Sequence, residues 1–290
     1  ARMKNKLSLF AVPYVGWMSI FVVAPIIIMV VYAFSTAAGD FTLENFARMG
    51  TYTAVFTRSF KLAIIATLIA LLIGYPVSYM LSKEGPQVQR IAMVLIMLPM
   101  WMNFLLRTYS WMSILENNGL LNQLFQQIGL IDLYNQIAMH FASDPAAYVP
   151  IDHFQMIGTQ GAVVLGMVYN YLPFMILPIY SVLVKLDHSL IEAARDLGAS
   201  SGQVFRKVIL PLSLPGVLSG ITMVFVPSVS TFAISRLLGG GTQMMLGDLI
   251  EQQFLGGAYN PQLGAAIALV MMAIVVVCML VMNRFGDGEE

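Results

Sequence analysis

The chain has 290 residues, 58% of them hydrophobic and only 10% charged, with a formal net charge of zero and a mean hydropathy of +0.78. A soluble domain carries about 25% charged residues, so the composition excludes one and indicates an integral membrane protein. Zero net charge gives no electrostatic basis for nucleic-acid binding, and the single cysteine, Cys278, rules out an intramolecular disulfide.

Arg2, Lys4 and Lys6 precede an apolar run from about Leu7 to Phe34. The Ala1-Arg2 start suggests a processed or trimmed N-terminus, yet no small-residue cleavage site follows the run, which reads as a retained first span rather than a signal peptide. A second span is expected from about Leu62 to Leu81 with Pro76 near its end, and a third from about Ile91 to Leu106, interrupted by Pro99. In the long outer loop from about Thr108 to Gly161, Leu120, Leu121, Leu124, Phe125 and Ile128 recur at helical spacing, which predicts an interfacial helix. His140 and His153 share that loop with Asp132, Asp144 and Asp152, but their spacing matches no metal-ligand motif. A fourth span, about Ala162 to Val184, holds Pro173 and Pro178.

A polar island follows, Ser189 to Leu214. Ser189 with Glu192 forms a capping-box pattern, Gly198 suits a left-handed stop, and Ser200 with Gln203 repeats the box ahead of a second short helix. Leu190, Ile191, Ala194 and Leu197 fall on one face of the first helix, with Glu192, Arg195 and Asp196 opposite. Pro211 and Pro215 are expected to punctuate the entry to a fifth span, about Pro215 to Ile234. A second outer loop, Leu237 to Gln262, opens on three glycines and carries Asp248 and Glu251; a sixth span runs from about Leu263 to Met282. Each span approaches the roughly 20 residues that cross a hydrocarbon core. Gly216 with Gly220, and Ala162 with Gly166, are small pairs that let helices approach closely, and the Gly216 face could serve either its own bundle or a second membrane subunit.

With both termini cytoplasmic, ten of the fifteen lysines and arginines fall inside and five outside, which places the polar island in the cytoplasm. No P-loop sequence occurs, so ATP hydrolysis by that route is absent from this chain. The six spans contain no Asp or Glu, which argues against a proton- or sodium-coupled carrier working alone. No catalytic constellation is visible.

Glu192-Ala193-Ala194, then Gly198, then Val208-Ile209-Leu210-Pro211 resemble the EAA loop of ABC-importer permeases. LLRTYSW at Leu105 to Trp111, LPFMILPIYSVLVKLD at Leu172 to Asp187, IEAARDLGAS at Ile191 to Ser200 and LLGGGTQMMLGDLIEQQF at Leu237 to Phe254 extend the likeness over nearly the whole chain, and are similar to the PotB-like permeases of spermidine/putrescine importers. The resemblance implies an all-α integral membrane fold with six transmembrane helices, that of the type I ABC importer (MetI-like) transmembrane domain. Residues 1–55 would form the first helix, wrapping a neighbour, and its outer segment. Residues 56–284 would be the permease core with its EAA loop at 187–211, and residues 285–290 a cytoplasmic tail.

The same resemblance implies a cell-membrane complex with a PotC-like second permease, two PotA-like ATPase subunits that bind ATP and Mg, and an extracellular PotD-like binding protein. Glu192, Ala193, Ala194, Arg195, Asp196 and Gly198 would couple to the ATPase. A polyamine path needs carboxylates at its mouth, for which Glu116, Asp248 and Glu251 are candidates. Deeper in it needs aromatic faces for cation-π contact, for which Trp101, Tyr109, Trp111, Tyr169, Tyr171 and Phe232 are candidates. Arg236 departs from the family, where an acidic residue often precedes the Leu-Leu-Gly-Gly element; it is expected either to pair with an outer carboxylate such as Glu116 or Asp248 or to contact the docked binding protein. An importer for another small solute such as an oxyanion stays open as an alternative, as, less favoured, does a carrier working alone.

Overall fold

The computed structural model describes residues 12–141 and 148–286. Arg2, Lys4 and Lys6, Asp144 and the tail beyond residue 286 lie outside the described residues. Apart from one isolated bridge, Ser35 to Phe41, the regular secondary structure of the described residues is helical. Five helices are long and apolar enough to cross a membrane: Val12–Ala33, Glu44–Ser82, Gln160–Leu183, Ser201–Ser230 and Pro261–Met282. A further pair, Pro86–Trp101 followed by Phe104–Gln127, is apolar enough when taken together but is bent by 90°, the form of a broken span or a re-entrant loop. The break falls at Met102 and Asn103, just after Pro99, and Asn103 restarts the helix by accepting bonds from the Leu105 and Leu106 amides.

Two compact units are present. One comprises residues up to Phe56 with Leu249–Cys278. Here Ala33, Ala265 and Ala266 form a small buried core with Phe34 and Phe46 against it, and Asn45 Nδ2 donates to the Ala33 and Ser35 carbonyls at 3.0 Å each. Helix Val12–Ala33 has no buried residue in its apolar window.

The other unit, Thr57–Asp248 with the segment after Cys278, holds two cores along its helices. One gathers Leu62, Ala66, Leu115, Val163, Met167, Ile234 and Leu238; the second gathers Ala70, Met175, Ile179, Leu183, Val204, Ile209 and Val217. Small residues set the helix spacing. A Cβ on Gly220 would stand 2.8 Å from Met175 Sδ and one on Gly74 2.9 Å from Met175 Cγ, so the second and fifth spans close on the fourth from two sides. The Gly216 face meets Pro178 and Ile179 of the same chain, with a Cβ only 2.9 Å from the Pro178 carbonyl, which answers the choice between bundle and second subunit. Gly166 is packed against Ile234 and Leu238.

Two expectations need correction. The fifth span does not begin at Pro215: a single helix runs Ser201–Ser230 through a π turn at Phe205–Ile209, where the Leu210 amide reaches the Phe205 carbonyl. The widened turn relieves the clash that Pro211 would make with the ladder before it. In the long loop before the fourth span, helix Leu120–Gln127 forms but is followed by an unanticipated second helix, Leu130–Phe141. Leu120, Leu124 and Ile128 of the expected apolar face are exposed, whereas Leu121 packs against the first core. What ties the first helix down is buried Asn122, whose Nδ2 donates to the Glu116 and Phe154 carbonyls and whose Oδ1 accepts the Phe154 amide.

Candidate functional site

The polar island forms helix His188–Asp196. Its start differs from the expected Ser189-Glu192 box: Asp187 is the cap, accepting the Ser189 amide at 2.9 Å. That bond, and then one from the Ser189 hydroxyl, hold the Asp187 carboxyl below the usual carboxylate range. The stop is as read from the sequence. Gly198 has φ +84°, its amide donates to the Arg195 carbonyl at 2.8 Å, and the Ala199 amide reaches back to Ala194 at 3.1 Å. These two bonds make a Schellman ending that only a left-handed residue permits at low cost. The Ser200-Gln203 box then forms in both directions and starts the next helix.

Ile191 and Ala194 pack on the second core, whereas Leu190 and Leu197 turn outward, so the inward apolar face is narrower than the sequence pattern suggested. Leu197 is 88% exposed. Glu192, Ala193, Arg195, Asp196 and Gly198 are exposed beside it. The resulting knob is apolar at Leu190 and Leu197 and charged around them.

Sequence reasoning missed the attachment of this knob. Phe205, in the π turn, meets Tyr75 and Tyr79 of the second span edge-on, with ring centroids 5.9 and 5.3 Å away. Tyr75 shares a hydrogen bond with Ser213 at 2.9 Å, and Lys83 Nζ lies 3.9 Å from the Tyr79 ring centroid. The polar island and the second span are thus keyed by three interlocked rings.

Of the residues expected to line a path, some converge. Trp111 and Tyr169 pack edge-to-face at 5.3 Å, and Tyr171 packs against both cores. Of the two carboxylates expected as partners for Arg236, it pairs with Asp248, at 3.8 Å from Nε to Oδ1. Asp248 is buried, and accepts Ser235 Oγ at 2.5 Å and the Met245 amide at 3.1 Å. It therefore caps the start of helix Leu246–Leu255 while neutralising the arginine. Glu251 is half-buried one turn further along that helix. Trp101 and Tyr109 are exposed separately, as is Phe232 in the break between the fifth span and helix Ala233–Leu238. Glu116 stands with Asn117, Asn118 and Ile157 around a hollow of about 310 Å³.

Arg107 is a further residue that the sequence quoted but assigned no role. It is buried, and among the described residues its Nε and Nη1 find no hydrogen-bond acceptor. Hydropathy gave no signal for it, because an arginine in an apolar run reads only as an outer flank. No group of His, Cys, Asp and Glu among the described residues is arranged to hold a metal ion; His153 instead pairs with Asp152.

Residues 66–287 match a family described as the binding-protein-dependent transport system inner membrane component. The chain is 35% identical over 281 residues to the spermidine/putrescine transport system permease protein PotB of Escherichia coli K12, covering 94% of this chain and 95% of that one. Its counterpart in Haemophilus influenzae is 35% identical over 272 residues, with 90% and 88% covered. Among solved structures, a bacterial ABC transporter involved in the import of alginate superposes with a TM-score of 0.77 at 16% identity, over 98% of this chain and 96% of that one. The MetNI methionine ABC transporter superposes at 0.58 with 18% identity, over 83% and 96%.

Proposed function

The chain belongs to the family of binding-protein-dependent transport system inner membrane components, the permeases of ABC importers, and from that membership we propose that it carries polyamines such as spermidine or putrescine across the cell membrane. The observation that carries the reading is the 35% identity to PotB sustained over 94% of the chain. Under this reading the core is residues 56–284, both termini are cytoplasmic, and the EAA loop at 187–211 seats on one of two PotA-like ATPases that bind ATP and Mg. A PotC-like permease completes the path, and a PotD-like protein delivers cargo from outside.

ATP-driven closure of the ATPase pair draws the Glu192 to Gly198 knob inward. Its rigid junctions with the fourth and fifth spans, and its ring contacts to the second, convert that motion into opening of the outward cavity. Within the path, Trp111, Tyr169 and Phe232 offer aromatic faces to a multiple cation. Asp248, already engaged with Arg236, positions that arginine and keeps its charge from standing alone at the mouth.

A second cargo class has one observation in its favour. Arg107 has buried donors without acceptors among the described residues, and Arg236 is 47% exposed; both would suit a small oxyanion. The test is ATPase activity of the complete complex in lipid with its binding protein, with spermidine, putrescine, sulfate or an amino acid added in turn. Stimulation by spermidine or putrescine alone is the expected result. Stimulation only by sulfate would replace the polyamine reading and leave the permease assignment intact.

A further inference from the structure

The smaller unit contains a hollow of about 520 Å³ that the transport reading does not use; Tyr32, Thr36, Glu44, Arg48, Tyr259 and Asn260 are among its lining residues. Its depth in the membrane follows from the chain. Tyr32 is in the last turn of span Val12–Ala33, and Asn260 immediately precedes span Pro261–Met282, accepting the Leu263 amide at 3.1 Å. Apolar spans end where the hydrocarbon ends, and tyrosines gather at that boundary. The hollow therefore sits at headgroup level, and it is preformed: the two hydrogen bonds that Asn45 Nδ2 donates to the Ala33 and Ser35 carbonyls fix the end of the first span beside helix Glu44–Arg48.

Its charges, on side chains of Arg48 and Glu44 that are 56% and 62% exposed, favour a zwitterion. Arg48 donates both Nε (3.1 Å) and Nη2 (2.7 Å) to one oxygen of Glu44, Oε1. Arg48 Nη1 and Glu44 Oε2 stand outside that contact, so a donor for an anion and an acceptor for a cation lie side by side. A bare polycation would meet the guanidinium, and a singly anionic headgroup would meet the carboxylate. A zwitterion with phosphate and ammonium two carbons apart satisfies both, with Tyr32 and Tyr259 offering ring faces to its cation. Ile27, Ile28 and Val31 are exposed on the span below and suit an acyl chain.

We propose that this hollow binds the headgroup of an aminophospholipid, phosphatidylethanolamine, and fixes the outer end of the first span to the bilayer. The proposal requires a membrane permease and is independent of the cargo. It is tested on the complex purified with its copurifying subunits, delipidated and re-equilibrated with equimolar phosphatidylethanolamine, phosphatidylcholine and phosphatidylglycerol, with retained lipid counted by native mass spectrometry. Phosphatidylethanolamine should be retained over both others, since choline has no N–H to donate to Glu44. The combined E44Q and R48Q variant should lose that preference by about tenfold, the scale of one or more charge-assisted bonds. Tyr259→Leu, a change at an exposed ring, should weaken it without disturbing assembly. Equal retention of the three lipids, preference for phosphatidylglycerol, unchanged retention in both variants, or displacement of phosphatidylethanolamine by millimolar spermidine would each overturn the proposal.

Discussion

Gly198 holds φ +84° in an otherwise right-handed region, and no atom outside its neighbours lies within 4 Å of a Cβ built on it. A side chain there would thus be opposed by the backbone alone, at roughly 1–2 kcal/mol for the left-handed conformation and more for a β-branched residue. Gly198→Val should misdirect the end of helix His188–Asp196 while leaving the spans inserted, and Glu192→Ala should remove a charge from its exposed face. Both are expected to lower uptake per ATP hydrolysed in proteoliposomes, with complex assembly unchanged. Wild-type ratios in both variants would remove the coupling role assigned to this segment.

At the scale of elements, the link from that helix to the membrane is the ring cluster. Phe205→Ala would delete both edge-on contacts, to Tyr75 and Tyr79, each worth about 0.5–1.5 kcal/mol beyond area burial. ATP hydrolysis should continue while cargo-stimulated uptake falls, and Phe205→Tyr should restore most of it; equal loss of both activities in the alanine variant would mark the ring as a folding contact instead. What was legible before the structure followed local rules. The Schellman glycine and the Ser200-Gln203 box depend on a few adjacent residues, and both formed as read. The Ser189-Glu192 box did not form because the helix starts at His188 with Asp187 as its cap, and aspartate and serine are caps of similar strength, so residue type alone does not rank the two overlapping starts. The start of the fifth span was misplaced because proline was taken as a stop. The π turn that accommodates Pro211 is a backbone adjustment without a sequence signature. The Phe205 rings and the Arg236 to Asp248 pair join residues far apart or on separate helices, and only the fold brings the three rings together.

For the whole molecule, orientation is open to direct measurement. Cys278 is the single cysteine, so a Cys278→Ser background permits one probe at a time. Asn118→Cys, at an exposed turn, should react with a membrane-impermeant maleimide in intact cells, whereas Ser201→Cys should react only after lysis. The reverse pattern would invert the topology that the lysine and arginine distribution implies and would place the EAA segment away from ATP.

The contact of Met175 with Gly74 and Gly220 has a mechanical consequence. Interdigitated branched side chains work like gear teeth: one helix can shift past another only by unseating a whole row. Here the second and fifth spans present bare backbone to a single unbranched thioether, which has three rotatable bonds and a polarizable sulfur. Such a joint can stay filled through small shifts of the second and fifth spans along the fourth, within the limit set by Gly216 against the Pro178 carbonyl.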